Sequence, residues 1–180
     1  MASPAPASEA QDVTQTAPIA AADNTAALGA DFKQAMRRLA ASVSVITARE
    51  EGEPRGIAAT AVTSLTVDPP AMIVCVNQSA SIHPALAIGA PICINLLHQQ
   101  HREVSGAFGG MIACDNKFDH GEWQDDERGI PYLVDAQSNI FATVEQMTPY
   151  GSHSIIIARV AGVRNRDDIA PLIFQNGGYL

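Results

Sequence analysis

Short apolar runs separated by turn residues fill the chain from residue 31 onward, a pattern that predicts many strands and few helices. Residues 43–48 alternate as a strand, 50–54 carry Gly52 and Pro54 as a hairpin loop, and 55–60 form the returning strand. Asp68, Pro69 and Pro70 end the strand after that. Residues 71–76 are apolar throughout and read as a buried strand that delivers Asn77, Ser79 and Ser81 to its far end. Further strands are predicted at 91–96, 139–147 and 154–163, the last two joined through Pro149, Tyr150 and Gly151, and 172–179 holds a short strand with a glycine pair. Three stretches read as helical. Asp31 is placed to cap a helix over 32–40 whose face is Phe32, Ala35, Met36 and Leu39. Residues 82–88 form a short helix with Pro84 in its first turn. Residues 98–108 form another, with Val104 and Phe108 inward and Arg102 and Glu103 outward. Residues 109–129 read as a polar loop poised over a site. The fold class expected is mainly β with short helices, an antiparallel and nearly closed barrel.

Composition sharpens this picture in three respects. The 180 residues suffice for one domain, read as a disordered tail over 1–30, rich in Ala, Ser, Thr, Pro and Gln, and a folded domain over 31–180. The tail lacks the basic start and apolar run of a secretory signal. Hydrophobic residues make up 47% and charged residues 17%, so part of the apolar surface is expected to face a second subunit. A net charge of −8 argues against nucleic acid or an anionic membrane as the main partner. Cys75, Cys93 and Cys114 show no CxxC spacing and read as free thiols, which fits a reducing cytoplasm. No apolar run reaches the length of a transmembrane helix.

The stretch over 55–77, RGIAATAVTSLTVDPPAMIVCVN, carries the chemistry. Gly56, Ala58, Ala59, Thr60 and Ala61 leave little side chain between backbone and solvent, so a flat ligand can approach main-chain groups closely. Thr60, Thr63 and Ser64 add hydroxyls, although strand threonines and turn or cap serines are also ordinary structural residues. Two polar clusters on adjacent strand ends suit a phosphorylated aromatic cofactor. His153, after Gly151 and Ser152, stands at a strand mouth where its N–H can donate to a carboxamide or phosphate oxygen. His98 and His101, with Cys114 or His120, lack the spacing of a full ligand set, so no metal site is expected. Asp125, Asp126 and Glu127 read as a solvated loop.

An ordered set of segments resembles the flavin reductase family with the FMN-binding split-barrel fold, the short reductase components of two-component monooxygenases. The segments are FKQAMRRL and VSVIT, then the 55–77 stretch, Ser79-Ala80-Ser81, His83-Pro84-Ala85-Leu86 and Ile94-Asn95-Leu96-Leu97. Phe108-Gly109, Gly151-Ser152-His153 and Gly177-Gly178-Tyr179 complete it. Ala41-Ser42 and the small Ala59-Thr60-Ala61 depart from the commonest family pattern.

The resemblance implies a homodimeric split barrel that reduces FMN or FAD with NADH or NADPH and supplies a partner flavin-dependent monooxygenase. Hydride passes directly between two stacked rings, so positioning replaces acid and base catalysis. By the same resemblance Arg55, Gly56, Ile57, Ala58, Thr60, Ala61, Val62 and Thr63 run along the flavin ring. Asn77, Ser79, Ala80 and Ser81 hold the ribityl and phosphate oxygens, Ser81 also preceding a helix N-terminus. Arg102 and Phe108 lie along the flavin tail, and His153, Gly178 and Tyr179 form the nicotinamide side. The alternative is a flavin carrier or redox sensor, which would need neither His153 nor the Gly178-Tyr179 patch. A pyridoxine-phosphate-type oxidase would call for a basic cluster that the 11 scattered Lys and Arg do not form.

Overall fold

The computed structural model describes residues 25–180. In chain order the elements are α1 (Thr25–Met36), β1 (Ala41–Ser42), β2 (Ser44–Glu50), β3 (Glu53–Ala59), β4 (Val62–Val67), β5 (Pro70–Asn77), β6 (Pro91–Leu96) and α2 (Arg102–Phe108). They continue with β7 (Trp123–Asp125), β8 (Pro131–Leu133), β9 (Ser138–Tyr150), β10 (His153–Asn165), β11 (Ile173–Gln175) and β12 (Gly178–Tyr179). Two 3₁₀ turns lie at His83–Leu86 and Lys117–Asp119.

Seven strands form one antiparallel sheet in the order β3-β2-β6-β9-β10-β5-β4. The two edge strands, β3 and β4, are consecutive in sequence and joined only by Thr60 and Ala61. Laid flat, seven strands at about 4.8 Å spacing would hold their edges roughly 29 Å apart. Three Cα steps reach at most about 11 Å. The sheet therefore curls until its edges nearly meet, and the Cys75 N–H donates to the Ala61 carbonyl at 3.0 Å, carrying the β4–β5 pairing into the link. This is the expected antiparallel split barrel.

The strand β2 is buried on both faces over its first five residues, Ser44 and Thr47 included. Ile46 and Ala48 point into the barrel with Val74, Val76, Ile94, Val144 and Ile156, and Ile82 with Ala85 and Leu86 of the first 3₁₀ turn plugs the interior. Val45 points outward, where α2, Leu133 and Leu172 form a second layer over it. A polar ladder crosses this outer side. The Asn95 amide donates to the Val45 carbonyl at 2.9 Å and the Thr47 hydroxyl at 3.3 Å. Its oxygen accepts from the Leu133 N–H at 2.9 Å and the Asn139 amide at 2.8 Å. All four hydrogen-bonding positions of a buried side chain are thus used, and β8 is tied to β2, β6 and β9.

Several expectations are corrected. Residues 1–24 of the expected tail lie outside the described residues, whereas 25–30 are helical, so α1 starts before Asp31 and ends at Met36. Its C-terminal end is held by long-range bonds, Arg37 Nε donating to Asn176 Oδ1 at 3.1 Å and Asn176 N–H to the Arg37 carbonyl at 3.0 Å. The helix predicted over 98–108 begins only at Arg102. Before it, the His101 and His98 rings accept from the His98 and Gln100 N–H groups, at 3.2 and 3.3 Å, in competition with helical bonding. The 109–129 stretch is not one loop, because Trp123–Asp125 pairs with Pro131–Leu133. Nor is the acidic cluster wholly solvated: Asp125 pairs with Arg49 at 2.7 Å, and Asp126 accepts the Arg128 and Ile130 N–H groups at 2.9 and 2.8 Å.

Replacing Asn95 with Ala should leave the Leu133 N–H and the Asn139 amide short of a partner and lower unfolding free energy by on the order of 3 kcal/mol. Denaturant unfolding followed by circular dichroism checks this. A loss below about 0.5 kcal/mol would mean that the ladder is incidental.

Candidate functional site

Three clefts follow one another along β3 and the Thr60-Ala61 link. The first, about 180 Å³, lies between Pro54, Arg55 and Gly56 on one side, Ser81 at its base, and Asp115, Asn116, Lys117 and Phe118 opposite. The second, about 140 Å³, is walled by Ala58, Ala59 and Thr60 against Ser105, Gly109, Met111, Phe174 and Tyr179. The third, about 600 Å³ and mostly apolar, passes Thr60 and Ala61 beside Phe32, Lys33 and Met36 of α1 and Arg37 just after it. The strand β3 pairs with β2 alone, so its other edge carries unpaired main-chain groups behind small side chains.

Of the predicted ring-facing residues, Arg55, Gly56, Ala58, Thr60 and Ala61 line these clefts, whereas Ile57 and Val62 pack against the barrel interior and Thr63 lines none of the three. Thr60, Ala61 and Thr63 are exposed, and Ile57, Ala58 and Val62 are half-buried. The Ala61 carbonyl already accepts from Cys75. At the far end, the Asn77 side-chain oxygen accepts from the Ser79 N–H and hydroxyl, both at 2.9 Å, and the Ala80 N–H donates to the Asn77 carbonyl at 3.0 Å. This turn presents Ser81 to the first cleft. The helix expected after Ser81 is only a four-residue 3₁₀ turn preceded by Ile82, so Ser81 does not cap it.

Other predicted residues sit elsewhere. Phe108 is 1% exposed and packs beneath Gly56 between Phe118 and Trp123, so it supports the wall from behind and lines no cleft. In this structure its ring reaches the site only through the Gly56 backbone that it supports. The Arg102 guanidinium donates to the main-chain oxygen of Leu180 at 2.6 Å and lies 6.0 Å from the Tyr179 ring centre, away from the cleft that holds Ser81. Tyr179 donates to the Ser105 hydroxyl at 2.8 Å or accepts from it, at the second cleft. Gly178 is exposed beside it on β12. His153 stands apart from these two, exposed at the start of β10, opposite Asn77 on β5, with its main-chain oxygen accepting from the Gln78 amide at 3.0 Å.

His98 and His101 bond through Nε2 to Asp168 and Asp135, both at 3.1 Å, while each Nδ1 accepts a backbone N–H. Their donor positions thus serve to lock 98–101 in place. Among the described residues no group of three or more His, Cys, Asp or Glu side chains could hold a metal ion. Burial, reinforced by the Asp126 charge, pushes the Cys93 thiol far above its ordinary range, so it stays protonated and unreactive.

Sequence reasoning missed Lys117, Met111 and Phe174 as cleft residues, because each reaches the site through long-range packing. The nearest signal was the isolated cation and aromatic, Lys117-Phe118, inside an otherwise acidic stretch. The cleft wall also depends on an absent side chain. A Cβ at Gly56 would overlap the Phe108 ring, lying 2.8 Å from its Cδ1. Gly56→Ala should therefore cost about 1–3 kcal/mol by overpacking. Combining it with Phe108→Leu should recover part of that loss, as a double-mutant unfolding cycle would measure. Strict additivity of the two changes would refute the contact.

The geometry can now be set beside known proteins. The family model described as flavin reductase like domain matches residues 36–180. The chain is 36% identical over 149 residues to the FMN reductase (NADH) RutF of Pantoea ananatis, covering 83% of this chain and 78% of that one. It is 34% identical over 154 residues to the reductase component of the FADH(2)-dependent resorcinol hydroxylase of a Rhizobium species, covering 84% and 86%. The crystal structure of a flavin reductase domain protein from an Arthrobacter species superposes with a TM-score of 0.78 at 26% identity, over 84% of this chain and 94% of that one. The chain belongs to the flavin reductase like domain family.

Proposed function

We propose that this protein is an NAD(P)H:flavin oxidoreductase that reduces FMN or FAD by hydride transfer and supplies the reduced flavin to a separate flavin-dependent monooxygenase component. The observation that carries the reading is the succession of clefts along β3 and the Thr60-Ala61 link. It has a small-residue wall suited to a flat ring and, at one end, a cleft with Ser81, Arg55 and Lys117 suited to a phosphate. The flavin, when bound, supplies the hydride-accepting chemistry. The residues supply position. Thr60 and Thr63 offer hydroxyls beside the ring, and the Ala61 and Val62 backbone faces its polar edge. Asn77, Ser79, Ala80 and Ser81 hold the ribityl and phosphate oxygens. No general acid or base is required, because holding the two rings in register supplies the main rate advantage.

For the donor side we assign His153, Gly178 and Tyr179. Their separation within one chain fits a homodimer. The outer face of β5 and β10 exposes Ile155, 39% accessible, in register with Cys75, and Ile157 in register with Ile73. Neighbouring β4 adds Leu65 at 45% and Val67 at 87%. A second subunit seated on this face would bury that apolar strip and bring His153 to the junction. The three cysteines are unpaired in the structure, in keeping with a reducing, cytoplasmic setting. No helix among the described residues is long and apolar enough to cross a membrane.

Purified protein should oxidise NADH or NADPH, read at 340 nm, only when FMN or FAD is added or already bound. A yellow protein that oxidises neither nucleotide would support a carrier or sensor instead. Ser81→Ala should weaken flavin binding about three- to tenfold, the loss of one hydrogen bond. His153→Ala should raise the apparent KM for the nicotinamide on the order of tenfold with flavin affinity unchanged. Loss of flavin and of thermal stability in the His153 variant would refute its assigned role.

A further inference from the structure

We propose that Lys117 reads the phosphate of the bound flavin, so that the first cleft selects phosphorylated flavins over riboflavin. This inference rests on the flavin reductase reading above and assigns a role to a segment, 115–118, that the site as described leaves unexplained.

The charges of that cleft are unequal. Arg55 is bound through Nε to Glu50 at 3.0 Å, which offsets its charge. Asp115 lines the same cleft and opposes an anion. Lys117 is half-buried and, among the described residues, makes no ion pair, so it is the cation of this cleft, across from Ser81 and Gly56, that is left to meet an anion. In a chain of net charge −8 no diffuse field draws an anion to this point, and a local cation must do so.

Lys117 is also held in place. The Phe118 N–H donates to Asn116 Oδ1 at 3.1 Å, and the Asn116 amide donates to Asp119 at 2.9 Å, fixing the turn that carries it. The Phe118 ring packs edge-on against Phe108 at 5.0 Å and Trp123 at 5.1 Å between centres. Trp123 in turn donates to the His120 carbonyl at 2.7 Å. Because Phe108 lies directly beneath Gly56, one aromatic cluster sets both lips of the cleft. The backbone that carries Lys117 is therefore fixed at the cleft, and only its side chain is left to order on binding.

The test compares FMN with riboflavin, which differ only in the phosphate. Dissociation constants come from flavin fluorescence or calorimetry on the wild type, Lys117→Ala and Lys117→Arg, with thermal melting of each. Wild type should favour FMN. Lys117→Ala should lose roughly ten- to a hundredfold in FMN affinity, the range of a charge-assisted hydrogen bond, and change riboflavin affinity less than about twofold. Lys117→Arg should keep most of the preference. An unchanged FMN-to-riboflavin ratio in Lys117→Ala, or equal losses for both flavins with a lowered melting temperature, would overturn the inference while leaving the reductase reading intact. A wild-type protein that binds neither flavin would overturn both.

Discussion

The two-residue link between β3 and β4 is the constraint from which the rest of the molecule follows. Because Thr60 and Ala61 must bridge the edges of a seven-stranded sheet, the sheet has to curl, and curling creates an interior that Ile46, Val74 and Ile156 fill and that Leu86 plugs. The same link fixes where the barrel is incomplete. At that seam β3 and β4 are not paired with each other, so backbone and small side chains stand open to a ligand. Bulkier residues at 58–61 would close the clefts that this seam creates.

A curled sheet alone would leave β2 half exposed, and the outer layer corrects this. Its attachment depends on two features of opposite character. Asn95 is a polar residue in an apolar environment, tolerated because all its hydrogen-bonding positions are satisfied, and it fixes β8 in one register. Gly56 is an absence that admits the Phe108 ring and lets α2 approach the edge strand. Together they place the aromatic cluster of Phe108, Phe118 and Trp123 behind the ligand wall, so packing energy gathered far from the clefts determines their shape.

What could be read from the sequence divides along the same line. Strands were legible where local alternation or an unbroken apolar run decided them; residues 91–96 match β6 at both ends. Boundaries failed where distant groups decide: α1 is held by the 175–177 turn, the 98–101 segment is held by histidine side chains, and β7 exists only because β8 lies beside it. The small-residue wall was legible because it is one contiguous stretch. Lys117 was not, since its arrival opposite Ser81 depends on Phe118 docking in a cluster assembled from three segments. Phe108 was legible as an inward helix residue, and its docking under Gly56 was not.

An unpaired sheet edge is normally a hazard, because free N–H and C=O groups invite pairing with another chain. Here the hazard and the site coincide. The edge of β3 is blunted at one end by Pro54 and the ion-paired Arg55, and it is roofed by α2 and by Tyr179 of β12 further on. Another strand cannot approach along its length, whereas a thin ring can enter between wall and roof. Small side chains that would weaken an ordinary edge strand thus become the means by which backbone polarity is offered to a ligand. The cost in strand stability is offset on both faces of β3, where Ile57 joins the barrel interior and Gly56 receives the Phe108 ring of the outer layer.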